Sequence, residues 1–165
     1  MRKTRLYLDT SPIIMVEPDQ DSRRQAITKE FFRIVAERPD EYELFVSPVT
    51  LEELQAGTHE KNKMSVLFLG SLGHTELPDN DEAERLTRIY IANGVLPQKH
   101  LNDLRHIAYA AVSRCDYVVT WNMKHLANHQ TFSRAKAVNA DENYDTILLE
   151  TPEFFTKGET SNNER

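Results

Sequence analysis

The stretch Arg5-Leu6-Tyr7-Leu8-Asp9-Thr10-Ser11-Pro12-Ile13-Ile14 decides the class of fold. Arg5 to Leu8 reads as a short apolar strand that stops at Asp9. Ser11 then offers a helix cap, and Pro12 stands at the first helical position, where its missing N–H is no loss. A strand that runs through a polar loop into a helix is the first half of an α/β unit.

Outward from this stretch the same alternation repeats. From Ser22 to Glu37, Ala26, Ile27, Phe31, Ile34 and Val35 recur at helical spacing with charged residues between them, and Pro39 stops the helix. Glu43 to Val46 is a second strand, followed by a helix in which Thr50 and Glu53 stand in capping-box register and which Gly57 can end. Further helices are predicted over Lys61 to Leu69, then one that the stretch Leu77-Pro78-Asp79-Asn80-Asp81-Glu82 leads into and that runs through Ile91 with Asn93-Gly94 closing it, and one after Leu101-Asn102, where Leu104, Ile107, Ala108, Ala111 and Val112 form the buried stripe. Tyr117 to Thr120 is a β-branched strand and Thr146 to Leu149 the last one. Strands with apolar cores, separated by helices, predict a parallel sheet covered on both faces. Without a repeat or a Gly/Ser linker, residues 1–155 are expected to form one domain and residues 156–165 a disordered tail.

The composition narrows the function classes. In 165 residues there are 20 Lys+Arg against 26 Asp+Glu, a net charge of −6, a pI near 5.5 and a mean hydropathy of −0.58. A chain of this length can bury a core without a disulfide framework or a structural metal. Cys115 is the only cysteine, which excludes an internal disulfide and a multi-cysteine zinc or iron–sulfur site and suits a reducing cytoplasm. Asp9, Ser11 and Pro12 break the first apolar run, so no signal peptide is expected, and no apolar stretch reaches the roughly 20 residues that span a bilayer. Acidic net charge argues against sequence-blind nucleic-acid binding through global charge, so any such activity needs a local basic patch.

In open parallel sheets, function gathers beyond the carboxyl ends of the strands. Four polar residues fall there: Asp9 at the end of the first strand, Glu53 in the helix after the second, Asp103 at a helix start, and Asn122 after Tyr117–Thr120. Each has a plain structural reading as well: a turn for Asp9, the capping box for Glu53, a helix-start acid for Asp103 and a turn residue for Asn122. The functional reading rests on the set. Three carboxylates converging without an Arg or Lys partner repel one another, and their desolvation is costly unless a cation neutralises them. Oxygen-only ligands favour Mg²⁺ or Mn²⁺, which can activate a water and stabilise a phosphodiester under in-line attack.

Other candidates carry less. Asp116, at the opposite end of its strand, reads as structural. His125 and His129, spaced i,i+4, could share a helix face as zinc ligands do, but no HExxH pattern supports this and a solvent-facing pair is the expectation. His106, beside Ile107 and Ala108, reads as a packing residue with a possible supporting role near Asp103.

The blocks LYLDTSPII, SPVTLEELQAG, NDLRHIAYAAV and YVVTWNMKHLAN, in this order from Asp9 to Asn128, resemble the PIN-domain family and its VapC-like toxin branch, and the closing ILLETPEFF is similar to the family's end. The resemblance implies a three-layer α/β/α fold on a central parallel sheet and a Mg²⁺- or Mn²⁺-dependent endoribonuclease. It places Asp9, Glu53 and Asp103 at the three acidic positions that hold the metal and activate water. The fourth position falls on Asn122, preceded by Thr120 in the T-x-D/N pattern; an Asn can coordinate through its carbonyl oxygen or hold a metal-bound water, but it brings no charge. A cognate antitoxin that neutralises the carboxylates and a homodimer are likewise implied by the resemblance, in a cytoplasmic setting away from membranes.

RNA requires positive charge around the cleft. Lys99, His100, Arg105, Lys124 and His125 are the near candidates, with Arg23 and Arg24 further away. Trp121, beside Asn122, could stack on an unpaired base at the cleft mouth or serve only in packing. Thr120, Trp121, Lys124 and Arg105 are thus the expected substrate contacts. Two rivals stand beside the nuclease. A haloacid-dehalogenase-type phosphatase needs a second acid two residues after Asp9, where Ser11 stands. A PIN-like module that binds RNA or protein without cutting is encouraged by Asn122.

Overall fold

The computed structural model describes residues 2–56 and 62–163. Five parallel strands, β1 (Thr4–Leu8), β2 (Tyr42–Val46), β3 (Thr75–Glu76), β4 (Tyr117–Val119) and β5 (Leu148–Glu150), form one sheet in the order β3-β2-β1-β4-β5. Among the described residues, eight helices connect and cover them: α1 (Thr10–Ile14), α2 (Ser22–Glu37), α3 (Pro48–Ala56), α4 (Lys63–Ser71), α5 (Asp81–Ala92), α6 (Leu101–Val112), α7 (His129–Asp141) and α8 (Pro152–Asn163). A 3₁₀ turn, Gln98–His100, leads into α6.

Side-chain alternation along β1 divides the core. Leu6 and Leu8 point to one face, where they pack with Ile13, Phe31, Phe32, Val35, Leu54 and Leu69 from α1, α2, α3 and α4. Tyr7 points to the other face and packs with Leu86, Tyr90, Leu104, Ile107, Ala135 and Val138 from α5, α6 and α7. Because β1 is central it is buried on both faces, which is why it reads as an unbroken apolar run. Each fully buried Leu or Ile contributes roughly 1.5–3 kcal/mol. Two apolar clusters on opposite faces of one sheet are the three-layer α/β/α arrangement.

The topology fixes where a ligand can bind. From β1 the chain moves outward through β2 to β3, then crosses back through α5 and α6 to β4 on the other side of β1 and ends at β5. The strand order reverses between β1 and β4, so their carboxyl ends open a crevice that the following loops line. Asp9 follows β1, Ser47 follows β2, and Thr120 follows β4.

Several local expectations are corrected. Asp9, rather than Ser11, caps α1, its carboxylate accepting the Ser11 N–H at 3.0 Å. Ser47, rather than Thr50, supports the start of α3, its Oγ accepting the Val49 N–H at 3.1 Å. Thr50 lies inside α3 and donates instead to the Leu8 carbonyl at 3.1 Å, tying α3 to the end of β1. The helix α7 has no strong apolar stripe, burying Thr131, Ala135, Val138 and Asn139, so the periodicity that marks the other helices is missing from its sequence. His129 opens α7 whereas His125 lies in the preceding turn, so the two do not share a helix face. The backbone of α8 continues to Asn163, through most of the segment expected as a tail. Gly57 lies outside the described residues.

Candidate active site

Asp9 is 4% exposed and takes three hydrogen bonds: Ser11 N–H and Oγ–H reach Oδ1 at 3.0 and 2.6 Å, and Thr120 Oγ1–H reaches Oδ2 at 2.5 Å. All its donors are neutral. Burial raises its pKa above the ordinary carboxylate value, against the lowering influence of His106 and these bonds. Asp103, on the first turn of α6, is likewise raised by burial and by the nearby charge of Glu53, with His106, His125 and His100 acting in the other direction. Its Oδ1 accepts from Asn122 Nδ2 at 3.2 Å, and His100 Nδ1 lies 3.8 Å from Oδ2.

Glu53 behaves differently. Burial on α3 is the largest influence and raises its pKa, yet the bond and charge of His106, the Thr10 hydroxyl and the charge of Arg105 together bring it below the ordinary value. Its Oε1 accepts from Thr10 Oγ1 at 2.9 Å and from His106 Nε2 at 2.5 Å. An ionised carboxylate can only accept, so Nε2 carries a proton, while Nδ1 shares a hydrogen bond with the Tyr7 hydroxyl 2.6 Å away, accepting it when the ring is neutral and donating when it is charged. The Tyr7 oxygen in turn meets Ser47 Oγ at 2.6 Å. Burial raises the Tyr7 pKa, which keeps it neutral.

A hydrogen-bonded chain of Ser47, Tyr7, His106 and Glu53 therefore runs from the end of β2 through β1 and α6 to α3. His106, 2% exposed, is the functional neighbour that the sequence reading undervalued. All three carboxylates are close enough for its charge to influence them. Its position three residues after Asp103, nearly one helical turn, was the available signal.

The other expected residues separate into groups. Thr120 is fully buried and positions Asp9; its Oγ1 also accepts the Asn122 N–H at 2.9 Å. Asn122 turns its carbonyl oxygen to the His125 N–H at 3.0 Å and its amide nitrogen to Asp103, so it orients that carboxylate. Trp121 is 5% exposed and donates from Nε1 to Thr28 Oγ1 at 2.8 Å; packed this way it has no free face for a base, which corrects the stacking expectation. Arg105 is held by Glu84 at 2.9 Å and Glu52 at 3.2 Å, so its charge is already matched. Lys99 and Lys124 are exposed, and the rings of His100 and His125 stack with centroids 3.8 Å apart. Asp116 lies at the amino end of β4, accepting the Arg5 N–H at 2.8 Å, a structural position as expected.

The donor set is all oxygen, and the buried Asp9 and half-buried Asp103 have no Lys or Arg contact among the described residues, a combination that suits a hard divalent cation. The three carboxylates do not close into a cage: among the described residues no group of three or more His, Cys, Asp or Glu side chains stands close enough to hold a metal. Such a set fits an ion that keeps several of its waters and uses one or two carboxylates directly.

No family model matches the chain, and no curated protein matches it in sequence. Solved structures do. A chain of VapBC2 from Rickettsia felis, bound to a DNA fragment from its promoter, aligns with a TM-score of 0.58 at 14% identity, covering 90% of this chain and 98% of that one. A chain of DNA-bound VapBC from Salmonella typhimurium aligns with a TM-score of 0.56 at 15% identity and the same coverage. Tyrosyl-tRNA synthetase from Archaeoglobus fulgidus aligns at 0.51 with 12% identity over 92% of this chain and 56% of its own. The architecture is therefore a PIN-like three-layer α/β/α fold on a parallel sheet. Within that class its fold is similar to that of the matched chains of the two VapBC complexes.

Proposed function

We propose that this protein is a metal-dependent endoribonuclease of the VapC-like toxin type. What supports the reading is that Asp9, Glu53 and Asp103, from three separate elements, all lie within the electrostatic reach of His106, with the buried Asp9 and half-buried Asp103 away from any Lys or Arg contact among the described residues. Mg²⁺ or Mn²⁺ would be held by Asp9, Glu53 and Asp103 with Asn122 beside them, and would supply charge stabilisation and an acidified water for phosphodiester hydrolysis. The chain's own part is orientation. Ser11 and Thr120 fix both oxygens of Asp9, Asn122 aims Asp103, and the hydrogen-bonded Tyr7–His106 pair holds Glu53 in its ionised form. Glu53, kept ionised, is then a group that can accept a hydrogen bond from the attacking water and orient it.

The two VapBC structures are complexes, and a cognate antitoxin that covers the carboxylates with a cation is the partner this reading assigns. Homodimerisation and a cytoplasmic setting belong to the same proposal; no helix among the described residues is long and apolar enough to cross a membrane. The test is cleavage of mixed single-stranded RNA by purified protein with Mg²⁺, Mn²⁺ or EDTA, alongside Asp9→Asn. Metal-dependent cutting that the variant loses supports the reading. A second reading, an RNA- or protein-binding module without cleavage, draws on Asn122, which donates to Asp103 where a fourth acid would add charge. RNA binding without cutting under any metal would favour it.

A further inference from the structure

A cleft with three carboxylates repels a phosphodiester, so a substrate strand needs a cation that the protein has not already neutralised. Other arginines nearby are committed: Arg23 to Glu153 at 3.0 Å, and Arg105 to Glu84 and Glu52. Arg24, on the first turn of α2, is different. No carboxylate contacts its guanidinium among the described residues; Cζ stands 5.1 Å from the centre of the Trp121 ring, and Nη2 lies 3.9 Å from Met123 Sδ. Trp121 and Met123 flank Asn122 in sequence.

The platform beneath this arginine is built from both sides. Trp121 Nε1–H donates to Thr28 Oγ1, and Thr28 Oγ1–H donates to the Arg24 carbonyl at 2.6 Å, so the ring and the arginine's own backbone are locked to each other. The Trp121 backbone N–H donates to Ser11 Oγ at 2.8 Å, and Ser11 donates to Asp9. Two hydrogen bonds thus connect the arginine's platform to the most buried carboxylate. A guanidinium held by its face keeps its in-plane N–H groups for a forked contact with a phosphate. We propose that Arg24, carried on the buried Trp121, docks an RNA backbone phosphate beside the scissile one. This rests on the ribonuclease reading and deepens it by assigning the strand a side of approach, over α2.

Binding of a labelled mixed-sequence single-stranded RNA is measured by fluorescence anisotropy in Mg²⁺ across a salt series, on an Asp9→Asn background that does not cut. Cleavage by the parent chain is followed in parallel. Arg24→Ala is expected to weaken binding about tenfold, and the slope of log affinity against log salt to fall by about 0.7, the share of one phosphate on a single strand. Arg24→Met, which keeps an unbranched side chain over Trp121, should lose as much, and Arg24→Lys should recover part. Equal loss in Ala and Met assigns the effect to charge; loss in Ala with full binding in Met overturns the proposal. Unchanged affinity and slope in Arg24→Ala, while Lys124→Ala loses both, overturns it and leaves the nuclease reading intact if the parent still cuts. A parent that neither cuts nor binds RNA removes both. Loss of binding to a poly-glutamate peptide, with RNA binding retained, assigns Arg24 to a protein partner and overturns the RNA assignment.

Discussion

Strands β1 and β4 carry an aspartate near each end of their pairing, and the two ends are built in opposite ways. At the amino end, Asp116 accepts the Arg5 N–H at 2.8 Å and faces the Arg2 guanidinium at 3.2 Å, while Arg5 also reaches the carbonyls of Ser113 and Arg114. At the carboxyl end, Asp9 has only hydroxyls and a backbone N–H, and Asp103 an amide and, 3.8 Å away, a histidine. One end satisfies its charge internally and the other holds charge in reserve. The lesson is that the same residue type at the same sheet becomes a matched ion pair or an unmatched carboxylate according to whether a cation stands beside it.

The sharpest way to break this comparison is to neutralise one aspartate at each end. Asp9→Asn or Asp103→Asn should lower RNA cleavage by about a hundredfold or more, whereas Asp116→Asn should leave the cleavage rate near that of the parent in the same assay. Comparable losses at both ends would remove the distinction. Next in size, His106→Ala removes one hydrogen bond from Glu53, which keeps Thr10, and one from the buried Tyr7 hydroxyl, which keeps Ser47. It should cost about 1–3 kcal/mol in denaturant unfolding and reduce cleavage as well. Asp116→Ala should cost a similar or smaller amount, since Arg5 N–H loses its acceptor at a partly buried site, with no matching loss in metal dependence.

Acidity sharpens the contrast further. The Asp9 pKa is raised, so the folded state binds its proton more tightly than the unfolded chain, and the Asp9 contribution to stability falls as pH rises through the raised value. Asp9→Asn should therefore melt a few degrees above the parent at neutral pH, the gap closing in acid where Asp9 is protonated. Scanning calorimetry across that range gives the answer, and a gap that widens in acid would contradict the assignment. Glu53 has the opposite sign: its lowered pKa contributes stability above the ordinary carboxylate range that is lost as pH falls through the folded value. The smallest expected effect is in Asn122→Asp, which should tighten Mn²⁺ binding a few-fold by titration calorimetry. Unchanged affinity would mean that residue 122 serves only to orient Asp103.

Legibility followed the strength of the local signal. The helix Ser22–Glu37 was readable to its last residue because Phe31, Ile34 and Val35 form an apolar stripe and Arg38-Pro39 ends it. The two-residue strand β3 was not readable, because both of its residues are exposed and only pairing with Phe45 and Val46 defines it. Nor was α7, whose buried face is small or polar. In the site, Asp9, Glu53, Asp103 and Asn122 could be picked out because strand ends and helix starts are visible in sequence. Glu53 was open to being half of a capping box, and only the placement of Thr50 against Leu8 shows that the box does not form.

The order of strands and helices, the acids at their junctions and the absence of a long apolar span were determined by the sequence alone, since each depends on residues close together in the chain. Which cations remain free was decided by tertiary structure. Arg105 and Arg24 look alike in sequence, yet one meets Glu84 and Glu52 across two helix contacts and the other rests on Trp121. The fate of His106 was decided in the same way, when β1 brought Tyr7 to one ring nitrogen and α3 brought Glu53 to the other. Charge pairing and burial depend on neighbours far along the chain, and those neighbours exist only once the sheet has placed its strands side by side.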